Sequence, residues 1–136
     1  MDFKQLLKND FIILDGAMGT MLQAAGLEAG GIPELLNITD PELIENIHKK
    51  YIEAGSDIVY ANTFGANRYK LKNHSVDEII GAGIAIAKKA CNGKALAALD
   101  IGPIGQLLEP TGTLKFEEAY DISVSYTHLT LPTKLE

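Results

Sequence analysis

The chain has no basic cluster, almost no cysteine and no long apolar run, and each shortage excludes a class of function. Its 12 Lys and Arg are scattered among 18 Asp and Glu, giving a formal net charge of −6. Without a basic patch to neutralise phosphates, no nucleic-acid partner is expected. The modest acidity is most simply solubility. One cysteine, Cys91, rules out an internal disulfide framework and fits a reducing compartment. No apolar stretch approaches the ~20 residues that span a bilayer, so no membrane partner is expected. The start, Asp2–Asp10, is too polar for a secretory signal. A soluble, cytoplasmic protein is the expectation. Glycines do not follow the dinucleotide-loop spacing, and no Walker-type lysine is present. There is no Cys-x-x-Cys or His-x-x-x-His spacing, so His48, His74, His128 and Cys91 suggest no metal site.

What is present is enough for one packed domain: 136 residues, 46% of them hydrophobic. Apolar runs at Phe11–Leu14, Asp57–Ala61 and Ala95–Leu99 read as strands, spaced about forty residues apart. Helical patterns lie between them. Residues 2–8 suggest a short leading helix, and Gly19–Ala25 a second one. Asp40 as cap and Pro41 at the first position open a third helix, with Leu43, Ile44, Ile47, Tyr51 and Ile52 at helical spacing and Gly55 closing it. Asn67–Lys72 reads as a short helix. Ser75 and Glu78 have capping-box spacing before a helix that runs to about Cys91 and ends at Asn92-Gly93. Gly81 and Gly83 weaken that helix and would permit close packing. A last helix starts near Lys115. Repeated βα without a hairpin signal means an open doubly wound sheet or a (βα)8 barrel, and periodicity alone does not separate them.

Three strand ends carry polar residues. Asp15-Gly16-Ala17-Met18-Gly19-Thr20 follows the first, Asn62-Thr63-Phe64-Gly65 the second and Asp100-Ile101-Gly102-Pro103 the third. Ligands sit at such strand ends in parallel α/β folds. Asp15 could hold an ammonium group while the backbone N–H groups of Gly16, Ala17 and Met18 hold a carboxylate, which suits a free amino acid. Equally, Asp15 could cap the following helix. Asn62 and Thr63 could bind a small polar ligand or serve only the turn, and Asp100 admits the same two readings. Tyr51, Tyr60 and Tyr69 read as packing residues with a polar tip.

Six segments taken in order resemble the homocysteine-binding domain of the homocysteine S-methyltransferase family, which includes cobalamin-dependent methionine synthase and betaine–homocysteine methyltransferase. They are Asp15–Thr20, Pro33-Glu34-Leu35-Leu36-Asn37, Tyr51–Ile58, Asn62–Asn67, Ile101–Gly105 and Phe116–Tyr120. The resemblance covers about residues 1–122. It implies the N-terminal part, about three βα units, of a (βα)8 barrel with its site at the C-terminal strand ends. It implies homocysteine as substrate, with a zinc ion holding the sulfur as thiolate. In the methionine synthase type the methyl donor is methylcobalamin, and cobalamin- and folate-binding domains belong to the parent chain. The resemblance assigns the amino-acid end of homocysteine to the loop Asp15, Gly16, Ala17 and Met18, and the pocket lining to Asn62 and Thr63.

The departures matter as much. The family's zinc ligands are cysteines in later strands, and nothing here matches them; Cys91 does not align with either position. A whole barrel needs about 250 residues. From Ser123 to Glu136 the chain is Ser/Thr-rich, without helical periodicity, and the string from Ser125 to Thr133 resembles translated sequencing-adapter sequence. The expectation is therefore a truncated gene model: residues 1–122 of a barrel, then a disordered or artefactual tail at 123–136, and no activity in this chain alone. Other readings are a betaine- or S-methylmethionine-dependent enzyme, and a non-catalytic amino-acid-binding module. A complete flavodoxin-like domain fails on strand number.

Overall fold

The structure, a computed structural model, describes residues 2–130, with side chains from Asp2 to Val124. Helix α1 (Phe3–Leu6) leads in, capped by the Asp2 side chain on the Lys4 N–H. Helix α2 (Met18–Ala24) follows the first loop. A 3-10 turn at Pro33–Leu35 runs into α3 (Leu36–Thr39) and then α4 (Pro41–Glu53). Strand β1 (Ile58–Tyr60), α5 (Val76–Cys91), β2 (Leu96–Ala98) and α6 (Phe116–Thr130) complete the order.

The two long central helices form where their caps predict. The Leu43 N–H donates to Asp40 Oδ1 at 3.2 Å, with Pro41 in the first turn, and Gly55 ends α4 at a φ of 109°. The Glu78 N–H donates to Ser75 Oγ at 3.3 Å, and Asn92, left-handed at φ 43°, stops α5.

β1 and β2 pair in parallel, with Ile58 opposite Leu96, Val59 opposite Ala97 and Tyr60 opposite Ala98. The expected first strand lies on the other side of β1, also parallel, but it makes only one bridge, Leu14 to Ile58. The reason is local. The Ile13 N–H donates to the Asp57 carboxylate at 2.9 Å instead of entering a ladder, while the Asp57 and Ile58 N–H groups share the Ile13 carbonyl.

One face of this sheet carries the core. Val59 and Ala61 pack with Leu71, Ile79, Ile80, Ile84, Ala87 and Ile122. A second cluster, Leu22, Ile44, Ile47 and Ile86, joins α2, α4 and α5. Side chains alternate along a strand, so Leu14 and Tyr60 fall on the opposite face, where they are 48% and 36% exposed.

Two expectations need correction. Asn67–Lys72 is not a helix: Asn67 Oδ1 accepts from the Tyr69 and Lys70 N–H groups and folds the segment as turns. The loss of helical periodicity from Ser123 does not end the last helix, which runs to Thr130. The chain has no Gly or Pro from Phe116 until Pro132, so the lapse in apolar periodicity meets no backbone breaker. The tail expectation for residues 131–136 lies outside the described residues. No helix among the described residues is long and apolar enough to cross a membrane.

Candidate substrate site at the strand ends

The structure brings the three polar loops together, mostly by bonds between residues distant in sequence. Asp15 is tied at both levels to β1. Its N–H donates to the Ile58 carbonyl at 3.0 Å, and its Oδ2 accepts from the Tyr60 N–H at 3.1 Å. It does not cap α2, whose N-cap is Ala17 and has no side-chain cap bond. The capping alternative therefore does not describe this chain: the carboxylate bridges two strand ends instead.

The loop that follows is held from behind. Tyr51 Oη and Thr20 Oγ1 both donate to the Ala17 carbonyl, each at 3.1 Å. A Cβ on Gly16 would lie 2.9 Å from Tyr51 Oη, so only glycine leaves the ring its place.

Asn62 and Thr63 are buried, and their side chains are engaged by the chain itself. Asn62 Nδ2 donates to the Pro33 carbonyl at 2.8 Å and to Asn37 Oδ1 at 2.9 Å. Asn37 Nδ2 returns to the Asn62 carbonyl at 2.8 Å and to the Ile79 carbonyl at 3.1 Å. Thr63 Oγ1 donates to the Asp100 carbonyl at 2.8 Å and accepts the Asp100 N–H at 3.2 Å, which fastens the second loop to the third. The crevice left between those loops, lined by Thr63, Asn67, Asp100 and Ile101, has no volume for a water molecule.

Sequence reasoning missed Glu34 and Asn37 and marked Gly83 only as a glycine permitting close packing, without its partners. Glu34 is buried, and its Oε1 accepts the Gly65 N–H at 2.5 Å. Gly83 on α5 gives Asn37 and Thr63 their space: a Cβ there would lie 2.8 Å from Asn37 Nδ2 and 3.0 Å from Thr63 Cγ2. The one signal available was the presence of Glu34 and Asn37 in the Pro33–Asn37 segment, with no indication of their partners.

Electrostatically the strand ends are negative. Burial pushes the Asp15 carboxyl above its usual range, against the favourable Tyr60 N–H, and Asp100 adds repulsion. Burial also raises Asp100, with Glu34 contributing. A cationic ammonium placed beside Asp15 would relieve this repulsion.

Among the described residues no group of three His, Cys, Asp or Glu is placed to hold a metal ion. Cys91 is buried in the core, and burial pushes its thiol up, away from thiolate. His48 is enclosed in the helix layer and His74 lies on an exposed loop. This donor set does not fit zinc.

The profile of the homocysteine S-methyltransferase family matches residues 12–130. Methionine synthase of Mycobacterium tuberculosis (strain H37Rv) is 40% identical over 103 residues, covering 67% of this chain and 8% of that protein. Methionine synthase of Mycobacterium leprae is 41% identical over 87 residues, covering 58% of this chain and 7% of that protein. Among solved structures, the metallated form of the homocysteine methyltransferase MmuM from Escherichia coli superposes with a TM-score of 0.66 at 26% identity, covering 76% of this chain and 41% of that one. Its apo form gives 0.68 at 24% identity, covering 91% and 46%. The chain thus spans less than a tenth of these methionine synthases and under half of MmuM.

Proposed function

This chain belongs to the homocysteine S-methyltransferase family, and we propose that it is the part of such an enzyme, of the methionine synthase type, that grips the amino-acid end of homocysteine. The observation that carries the reading is the strand-end junction. A partly buried carboxylate at Asp15 stands next to a loop whose backbone is fixed from outside, within the segment the family profile matches. Asp15 takes the ammonium group and the N–H groups of Gly16, Ala17 and Met18 take the carboxylate. Asn62 and Thr63 shape the pocket wall, and their own side-chain bonds hold that wall in place. The parallel strands and their helices are the opening units of a (βα)8 barrel, and the half-exposed second face of the sheet is the side a barrel would enclose.

Activation of the sulfur by zinc and transfer from methylcobalamin follow from the family type. The described residues offer no zinc donor set. The chain alone is expected to form no methionine.

Calorimetry of the chain with L-homocysteine, without metal, tests the reading. Expected is binding near 1 mM, a level at which one ammonium and one carboxylate contact remain measurable. Asp15→Asn keeps an acceptor for the Tyr60 N–H but removes the charge, and should weaken binding about tenfold. No heat at several times that concentration would remove the reading. Tight, metal-independent binding would favour a non-catalytic amino-acid module instead.

A further inference from the structure

We infer that this chain pairs with a second copy of itself, the two sheets closing edge to edge over their open faces. The inference is independent of the homocysteine reading. A parallel sheet is normally covered on both faces. Here helices cover one face, while Leu14 and Tyr60 stand part-exposed on the other. Both edges of the sheet are free as well. Leu96 gives its N–H to the Asp57 carbonyl, and the Ala98 carbonyl accepts the Ala61 N–H. Ala97, between them, therefore turns its N–H and carbonyl away from β1. Among the described residues no strand pairs on that side. At the opposite edge the Ile13 carbonyl and the Asp15 N–H face β1, so the backbone groups of Leu14 face outward.

A second copy is the occupant because it brings what both edges need. Segment 11–14, β1 and β2 all run the same way, so a partner must offer parallel edges on both sides at once. A copy turned by half a revolution about an axis along the strands lays its segment 11–14 beside β2 and its β2 beside segment 11–14. The same contact forms twice, the ring closes, and no edge is left. The helix layer fits the same arrangement. A right-handed connection carries the helix after β2 over the strand next to its free edge. That helix is α6, where Phe116 and Tyr120, one turn apart, are exposed. Phe11 and Ile13, which alternation puts on the helix side of segment 11–14, are exposed too. Each copy thus covers the strand that the other leaves bare. The area agrees. A folded monomer of 14.7 kDa exposes about 6,900 Å², and this chain exposes 8834 Å². Residues 131–136 contribute at most about 1,000 Å² of the difference. The remaining ~900 Å² matches what each partner gives to a standard stable interface.

Sedimentation equilibrium of the full chain tests the pairing. Expected is the mass of two 14.7 kDa chains at about 10 μM and above. Leu14→Lys puts a charge on the open face, and Ala97→Pro removes the outward N–H of β2, where an edge strand tolerates proline. Each should raise the dissociation constant at least about tenfold. Ile38→Lys, at an exposed apolar residue of α3, should leave it unchanged. Equal weakening by Ile38→Lys and Leu14→Lys would overturn the inference, because it would mean general apolar sticking. A single chain at about 1 mM would overturn it and leave the face to other strands of a parent barrel. A ladder of growing masses would overturn it too, since the edges would then pair without closing. Amide exchange of the unaltered chain removes any dependence on the variants' folding. The Leu14 and Ala97 amides should gain protection as concentration rises. Protection at those two amides that ignores concentration would discard edge pairing.

Discussion

His48 shows how far a single residue can depart from its sequence context. It sits on α4 with no exposed surface, and neither ring nitrogen has a hydrogen-bond partner among the protein groups. Burial lowers its pKa to about 4. The folded state therefore resists a proton that the unfolded chain accepts near pH 6.5. Stability from this residue is full above that value and is lost as pH falls toward 4. Between about pH 7 and pH 5 the loss should be about 2 kcal/mol. Urea midpoints at the two pH values check it, with His48→Leu as control. The variant should be the more stable at both and should lose less on acidification. Asp15 and Asp100, both raised, act in the opposite direction, gaining as pH falls, and they are present in both proteins. At this scale Asp15 was legible as a strand-end carboxylate. Its acceptor role toward Tyr60, and the use of Asn62 by Pro33 and Asn37, were not. Those partners lie 25 to 45 residues away, and only folding brings them close.

At the scale of elements, local chemistry carried well where caps and periodicity agreed. Helices α4 and α5 begin at Asp40 and Ser75, and each cap makes its bond. It failed where local pattern was weak. Asn67 made turns, and α6 outran its apolar stripe. The two glycines of α5 show the difference in kind. Sequence marks both as costs to the helix that permit close packing, but only Gly83 is packed, against Asn37 and Thr63, while Gly81 has nothing within 4 Å of a built Cβ. Gly81→Ala should therefore stabilise the chain by about 0.5–1 kcal/mol. Gly83→Ala should destabilise it by about 1–3 kcal/mol, since Asn37 and Thr63 are bonded and cannot step aside cheaply. Chemical unfolding of the pair measures both signs; equal effects would mean that Gly83 makes no room for Asn37 and Thr63.

At the scale of the whole molecule, packing is one-sided. Helices α4 and α5 cover one sheet face, with α6 packed on α5 and adding Ile122 to the core, and the other face keeps Leu14 and Tyr60 part-exposed. The segment 11–14 holds on through one bridge and a few bonds around Asp57. Hydrogen exchange should therefore release the Ile13 and Asp15 amides first, β1 and β2 later, and the buried turns of α4 and α5 last. Uniform protection across residues 11–15 and α5 would contradict this order. Composition, strand spacing and helix caps determined the βα rhythm, the parallel class of sheet and the places where polar loops leave the strands, because each depends on neighbours within a few residues. Tertiary structure alone decided what those loops do. It turned Asp15 from a possible cap into a bridge between strand ends, spent the side chains of Asn62 and Thr63 on Pro33, Asn37 and Asp100, and set Tyr51 behind Gly16. Each outcome depends on groups brought together across the sheet, and such pairings leave no trace in local spacing.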